Sequence, residues 1–248
     1  MTWIVELNGD QHSLCELEAS CCGEGSIVLV SGHYRLDSAL FAQVDDYESV
    51  KTIAQREVGY LNGYARLFLA THWKIAVGNI SREEPDKPKV HYATITDGLV
   101  ISARLVGIRL GEDEGVFQEP DRGPGLRAWR ALVQEEQVVA DVQQYLRGSL
   151  DDWSNLGRII EAIEHDAGGI DKLIATGWID ARSLKRFHAT ANNPLVAGVT
   201  ARHGARKYKA PGSPMDTHEA QSLITGIARK WIIAKIGATA GAGDVPPF

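Results

Sequence analysis

Two hydrophobic rhythms divide this chain. Up to about Leu110 the apolar residues come in short runs, TWIVEL, SIVLVSG, YARLFLA and WKIAVGNI, each bounded by Gly, Asn or polar residues, as β-strands are. One segment departs from that rhythm. Asp45-Asp46-Tyr47-Glu48 offers an acidic N-cap with Glu48 three positions after Asp45. Val50, Ile53, Ala54, Val58 and Leu61 then follow at helical spacing, and Asn62-Gly63 is the expected stop. Further on, HYATITDGLVISARLVGI sets Asp97-Gly98 between two β-branched runs. A two-residue hairpin needs φ > 0 at both turn positions, which these residues tolerate, so two adjacent antiparallel strands are expected.

The second rhythm begins after GEDEGVFQEPDRGPG, residues 111–125, where Gly, Pro and acids replace any periodicity and a surface linker is expected. Trp129, Leu132, Val133, Val139, Val142, Tyr145 and Leu146 share one helical face. Trp153, Leu156, Ile160 and Ile163 repeat the pattern until Gly168-Gly169 interrupts it. Two short helices are expected at 171–176 and 180–190. Asp216 to Glu219 then reads as a capping box, before Ala220, Leu223, Ile224, Ile227, Trp231 and Ile232. The fold class expected is α+β. A strand-rich domain with one helix (1–110) is followed by a linker (111–125), an all-helical bundle (126–236) and a flexible tail (237–248).

Composition narrows the classes. The chain has 248 residues, of which 44% are hydrophobic, enough for a proper core. It holds no run of about 18 apolar residues and no signal-peptide pattern at its start, and its three cysteines do not suggest a disulfide framework. A cytoplasmic protein without membrane contact is the expectation. Net charge is −6, yet the window from Ala181 to Ala210 holds seven Lys or Arg and no acid, leaving −13 for the other residues. Charge is therefore segregated along the chain, with a basic block in the helical half.

Motifs exclude more than they assign. The glycine-rich phosphate loops, the nucleophile elbow G-x-S-x-G and the zinc-protease pattern H-E-x-x-H are all missing from the sequence. His12, Cys15, Cys21, Cys22 and His33 lack the C-x-x-C spacing with which one turn presents two ligands. The cysteines read as buried, packed small hydrophobes, and no metal or other cofactor is expected. Paired carboxylates such as Asp151-Asp152 fit helix first turns. GGIDKLIATGWIDARSLKRFHAT has the outline of a helix-turn-helix, but short-turn helix pairs occur in any bundle.

The basic block is the place left for chemistry. Asn192-Asn193-Pro194 ends one helix and turns the chain back, so that Arg202 and His203 are expected to approach Arg182, Arg186 and His188 in one basic concavity. A histidine titrates near neutral pH and an arginine clamps phosphate bidentately, so the set suits anion binding or acid–base chemistry. Lys185, Arg186, Asn192, Arg206 and Lys207 are the corresponding candidates for phosphate or RNA contacts. The same residues also admit a structural role, with Arg202 bonded within the fold.

The order of FHATANN, a loop with Arg202-His203-Gly204, the turn APGSPM and the capped helix EAQSLITGIARKWI resembles the HEPN (higher eukaryotes and prokaryotes nucleotide-binding) helical proteins of bacterial toxin and abortive-infection systems. The resemblance covers about residues 149–237. It implies a helical bundle, often dimeric, and a metal-independent RNase built on an Arg and a His with four to six residues between them. Arg182 and His188 fit that spacing, and Arg202-His203-Gly204 resembles the His-Gly loop of some branches. Cleavage would proceed by attack of a 2′-hydroxyl on the adjacent phosphorus, with His188 or His203 moving the proton and Arg182 or Arg202 stabilising the charge. The competing expectation is an interaction module whose basic loop binds an acidic partner surface, or the protein's own acidic N-terminal region.

Overall fold

The computed structural model describes residues 2–20, 26–69, 74–83, 90–92, 125–202 and 211–240. The expected hairpin at Asp97-Gly98, the linker up to residue 124 and residues 241–248 of the expected tail lie outside the described residues, whereas residues 237–240, expected in that tail, continue the helix Thr217–Ala240. What is described is α+β, as the two rhythms require.

Five strands, β1 (Thr2–Asn8), β2 (Ser26–Val30), β3 (His33–Asp37), β4 (Ala76–Glu83) and β5 (Val90–Tyr92), form an antiparallel sheet in the order β2-β3-β1-β4-β5. The β2–β3 hairpin closes on Ser31 and Gly32, with φ of 53° and 81°, the left-handed pair that a tight hairpin turn demands. β1 is central, pairing Val5 with Leu36 on one side and Ile4 with Ser81 on the other.

Two helices accompany the sheet where one was expected. α1 (Gln11–Ser20) starts at Asp10, whose carboxylate accepts from the Ser13 N–H at 3.0 Å. Its inward face is only Ser13, Leu14 and Leu17, too narrow a stripe to stand out as helical in the sequence. Cys15 lies on its exposed side rather than packed as a small hydrophobe. Cys21 and Cys22 lie outside the described residues.

α2 (Tyr47–Phe68) corrects two expectations. It begins at Asp46, which accepts from the Ser49 N–H at 2.9 Å, and runs through Asn62-Gly63 and YARLF without a break. The buried Ala54, Val58, Leu61, Ala65 and Phe68 keep a helical period that outweighs the strand preference of the aromatic residues. Asn62 is not a cap. Its side chain brackets Ile75 before β4, donating to the Ile75 carbonyl at 2.8 Å and accepting from its N–H at 2.9 Å.

The bundle contains α3 (Leu126–Glu135), α4 (Gln137–Arg147), α5 (Trp153–Asp166), α6 (Ile170–Ala175), α7 (Ala181–Ala191), α8 (Pro194–Ala197) and α9 (Thr217–Ala240). The single face read from Trp129 to Leu146 is split at Glu136, which is extended with φ −118° and ψ 113°. Asp152 and Asp216 cap α5 and α9, accepting from the Ser154 N–H at 2.8 Å and the Glu219 N–H at 2.7 Å. Trp153, Ile160, Ile163, Ile227 and Trp231 are buried as expected, while Leu223 is only half-buried. α2 packs on β4 and also on α3, α4 and α9, so the apolar core is continuous from the sheet into the bundle.

Candidate functional site

α7 presents most of the described basic block. It is N-capped by Asp180, which accepts from the Ser183 N–H at 2.9 Å and its hydroxyl at 2.6 Å, and these bonds hold the Asp180 carboxyl below its ordinary pKa. Leu184, Phe187 and Ala191 face the core. Arg182 and Lys185 stand exposed, with no ion-pair partner among the described residues.

The other cations of the block turn inward. Arg186 donates to the carbonyls of Ser213 and Pro214, each at 2.9 Å, and to the carboxylate of Glu219, so it fastens α7 to the start of α9. His188 Nε2 meets Glu164 Oε1 at 2.9 Å. Asn192 ends α7, and Asn193 caps α8 by accepting from the Leu195 N–H at 3.0 Å. The chain then returns as expected, since the Arg202 N–H donates to the Ala191 carbonyl at 2.9 Å. The Arg202 guanidinium is ion-paired with Glu161.

A single stripe of α5 receives these groups. Ser154 donates its hydroxyl to the Thr200 carbonyl at 3.2 Å, Gly157 leaves room for the Arg202 side chain, Glu161 takes its guanidinium and Glu164 takes His188. A Cβ on residue 157 would sit 2.9 Å from Arg202 Cδ. Spacing of three and four residues puts all four on one face. Burial on the way to Glu161 pushes the Arg202 pKa down.

The structure thus brings His188 and Arg202 to neighbouring carboxylates of one helix, directs Arg186 to α9, and leaves Arg182 and Lys185 outside. Arg182 and His188 are six residues apart on a continuous helix, which places them roughly 120° apart around its axis. They do not converge on one point. His203, Arg206 and Lys207 lie outside the described residues.

A second cationic place went unread in the sequence because its members come from distant segments. A cleft of about 820 Å³ opens between the end of α2, the α4–α5 turn and α9, lined among others by Arg66, Lys74, Asp151, His218 and Arg229. Arg66 donates to the carbonyls of Leu146 and, at 2.9 Å, Gly148, and Lys74 donates to that of Arg147, so both cap the C-terminus of α4. Burial lowers the pKa of Arg66, opposed by nearby Asp151. Partial desolvation, then the charges of Arg66 and Arg147, lower that of Lys74. Comparisons with family models, curated proteins and solved structures returned no match for this chain.

Proposed function

We propose that this protein is a non-enzymatic interaction module that docks an acidic partner surface through the exposed basic edge of α7. The observation that carries this reading is the division within the basic block. Arg186, His188 and Arg202 are held by Glu219, Glu164 and Glu161, whereas Arg182 and Lys185 are left to solvent. The first group is spent on holding the 186–202 segment against α5 and α9. The second has charge to offer a partner, and the sequence adds Arg206 and Lys207 to the same block.

A second reading, metal-independent RNA cleavage of the HEPN kind, is favoured by one contact. Glu164 orients the His188 imidazole as a carboxylate orients a general base. Against it, Arg202 would have to leave Glu161 before stabilising a phosphorane.

Fluorescence anisotropy with a labelled polyglutamate peptide at low and high salt tests the docking reading. The wild type is expected to bind with a steep salt dependence, and the double variant Arg182→Glu, Lys185→Glu to lose binding while keeping its melting temperature. Absent binding by the wild type, or binding indifferent to the double variant, would refute it.

A further inference from the structure

The cleft between α2 and α9 lies apart from the α7 edge and has its own charge logic. The chain as a whole carries −6, yet Arg66, Lys74 and Arg229 line this cleft against Asp151 as the carboxylate among the described lining residues. Asp151 is itself engaged, accepting from the Gln221 side chain at 2.8 Å. The carbonyls at the end of α4 supply acceptors for Arg66 and Lys74 but carry no full charge, so they offset the charge of these two cations only in part. Burial lowers the pKa of Arg66 against the pull of Asp151, and burial followed by the charges of Arg66 and Arg147 lowers that of Lys74, costs that an anion in the cleft would relieve. On the far side of Lys74 a smaller hollow of about 490 Å³, lined by Lys51 and Arg147, extends the positive surface.

The wall supplied by α9 suits a polar ligand. His218, Gln221, Ser222, Thr225 and Arg229 follow one another at helical spacing along the cleft. Gly226 lies beside them, and a Cβ built there meets nothing within 4 Å. Small and hydrogen-bonding side chains therefore keep the cleft open where bulky apolar ones would close it. Its volume falls in the range of small-molecule sites, roughly 300–1,000 Å³.

We propose that this cleft binds a small molecule carrying phosphate groups, with Arg66, Lys74 and Arg229 facing the phosphates and the Ser222 hydroxyl and Gln221 amide of α9 completing the contacts. Arginine supplies bidentate donors and lysine a point charge, the pairing that phosphate recognition uses. The proposal stands independently of the docking of α7.

Isothermal titration with inorganic pyrophosphate tests it, with sulfate as the comparison anion. Wild type is expected to bind pyrophosphate more tightly than sulfate. Lys74→Gln is expected to weaken binding by about tenfold, the effect of losing one charged hydrogen bond. Gly226→Leu fills the cleft from an open helix position, where leucine is a better helix former than glycine, so it is expected to remove binding without lowering the melting temperature. The double variant Arg182→Glu, Lys185→Glu is expected to bind as wild type does, which separates this site from the α7 edge. Wild type that fails to prefer pyrophosphate, or pyrophosphate binding that survives Gly226→Leu, would overturn the proposal.

Discussion

Gly63 illustrates how one residue type carries two opposite messages. After Asn62 it reads as a helix stop, yet it sits within α2, where the missing side chain lets Trp129 of α3 approach. A Cβ there would lie 3.0 Å from Trp129 Cζ2 and 3.2 Å from Gln143 Cγ. Trp129 is fully buried and its indole N–H donates to the Tyr60 carbonyl at 3.0 Å, so it has little room to yield. Overpacking costs about 1–3 kcal/mol and alanine returns about 1 kcal/mol of helix propensity, so Gly63→Ala should destabilise by about 1 kcal/mol in urea titrations. Unchanged stability would mean that α3 slides freely on α2. Gly157 makes a similar allowance for a different guest, the flexible Arg202 stem. Neither role is legible locally, because each depends on a partner remote in sequence.

At the scale of the element, sequence reading worked where a helix has a cap and a wide apolar stripe. α5 and α9 are legible through Asp151-Asp152 and Asp216 and through their apolar stripes, and α7 as a short helix at 180–190. It failed where one signal dominated another. The strand preference of YARLFLA obscured the continuing period of α2, and the narrow stripe of α1 left no pattern to read. Candidate chemistry was legible as a basic block, but its distribution was not. The apolar face of α5 stood out, whereas Glu161 and Glu164 along its flank, which hold Arg202 and His188, carry no local signature. The element with most at stake is α9, whose Trp231 is buried at 2% exposure and donates to Asp166 at 2.7 Å. Trp231→Ala should cost about 3–5 kcal/mol by chemical denaturation, as truncations of buried tryptophan do. A loss below about 1 kcal/mol would show that α9 does not depend on this anchor.

For the whole molecule, the decisive piece is α2, shared between the sheet and the bundle. Because the core runs through it without interruption, the two regions should unfold in a single transition, with calorimetric and van't Hoff enthalpies equal. Two resolved transitions would show that the sheet and the bundle are stable separately. Lys235 ties the bundle together from α9, donating to Glu136 at 2.6 Å and Asp166 at 3.1 Å. Burial alone would lower its pKa, but the hydrogen bonds and charges of Glu136 and Asp166 outweigh that and raise it. A lysine whose folded pKa is raised stabilises the fold at neutral pH and up to its ordinary range, and loses that contribution as pH climbs through the raised value. Wild type should therefore exceed Lys235→Gln in melting temperature at pH 7, with the gap closing in strongly alkaline buffer. A gap that persists there would place the effect in packing instead of charge.

The claim on which the functional account rests is that His188 and Arg202 hold the fold together and do not cut RNA. Incubation of single-stranded RNA with wild type and with His188→Ala, in the presence of a metal chelator and with folding checked by circular dichroism, tests it most directly. The account predicts intact RNA with both proteins. Cleavage by wild type that disappears in a folded His188→Ala variant would contradict it and establish the nuclease reading instead.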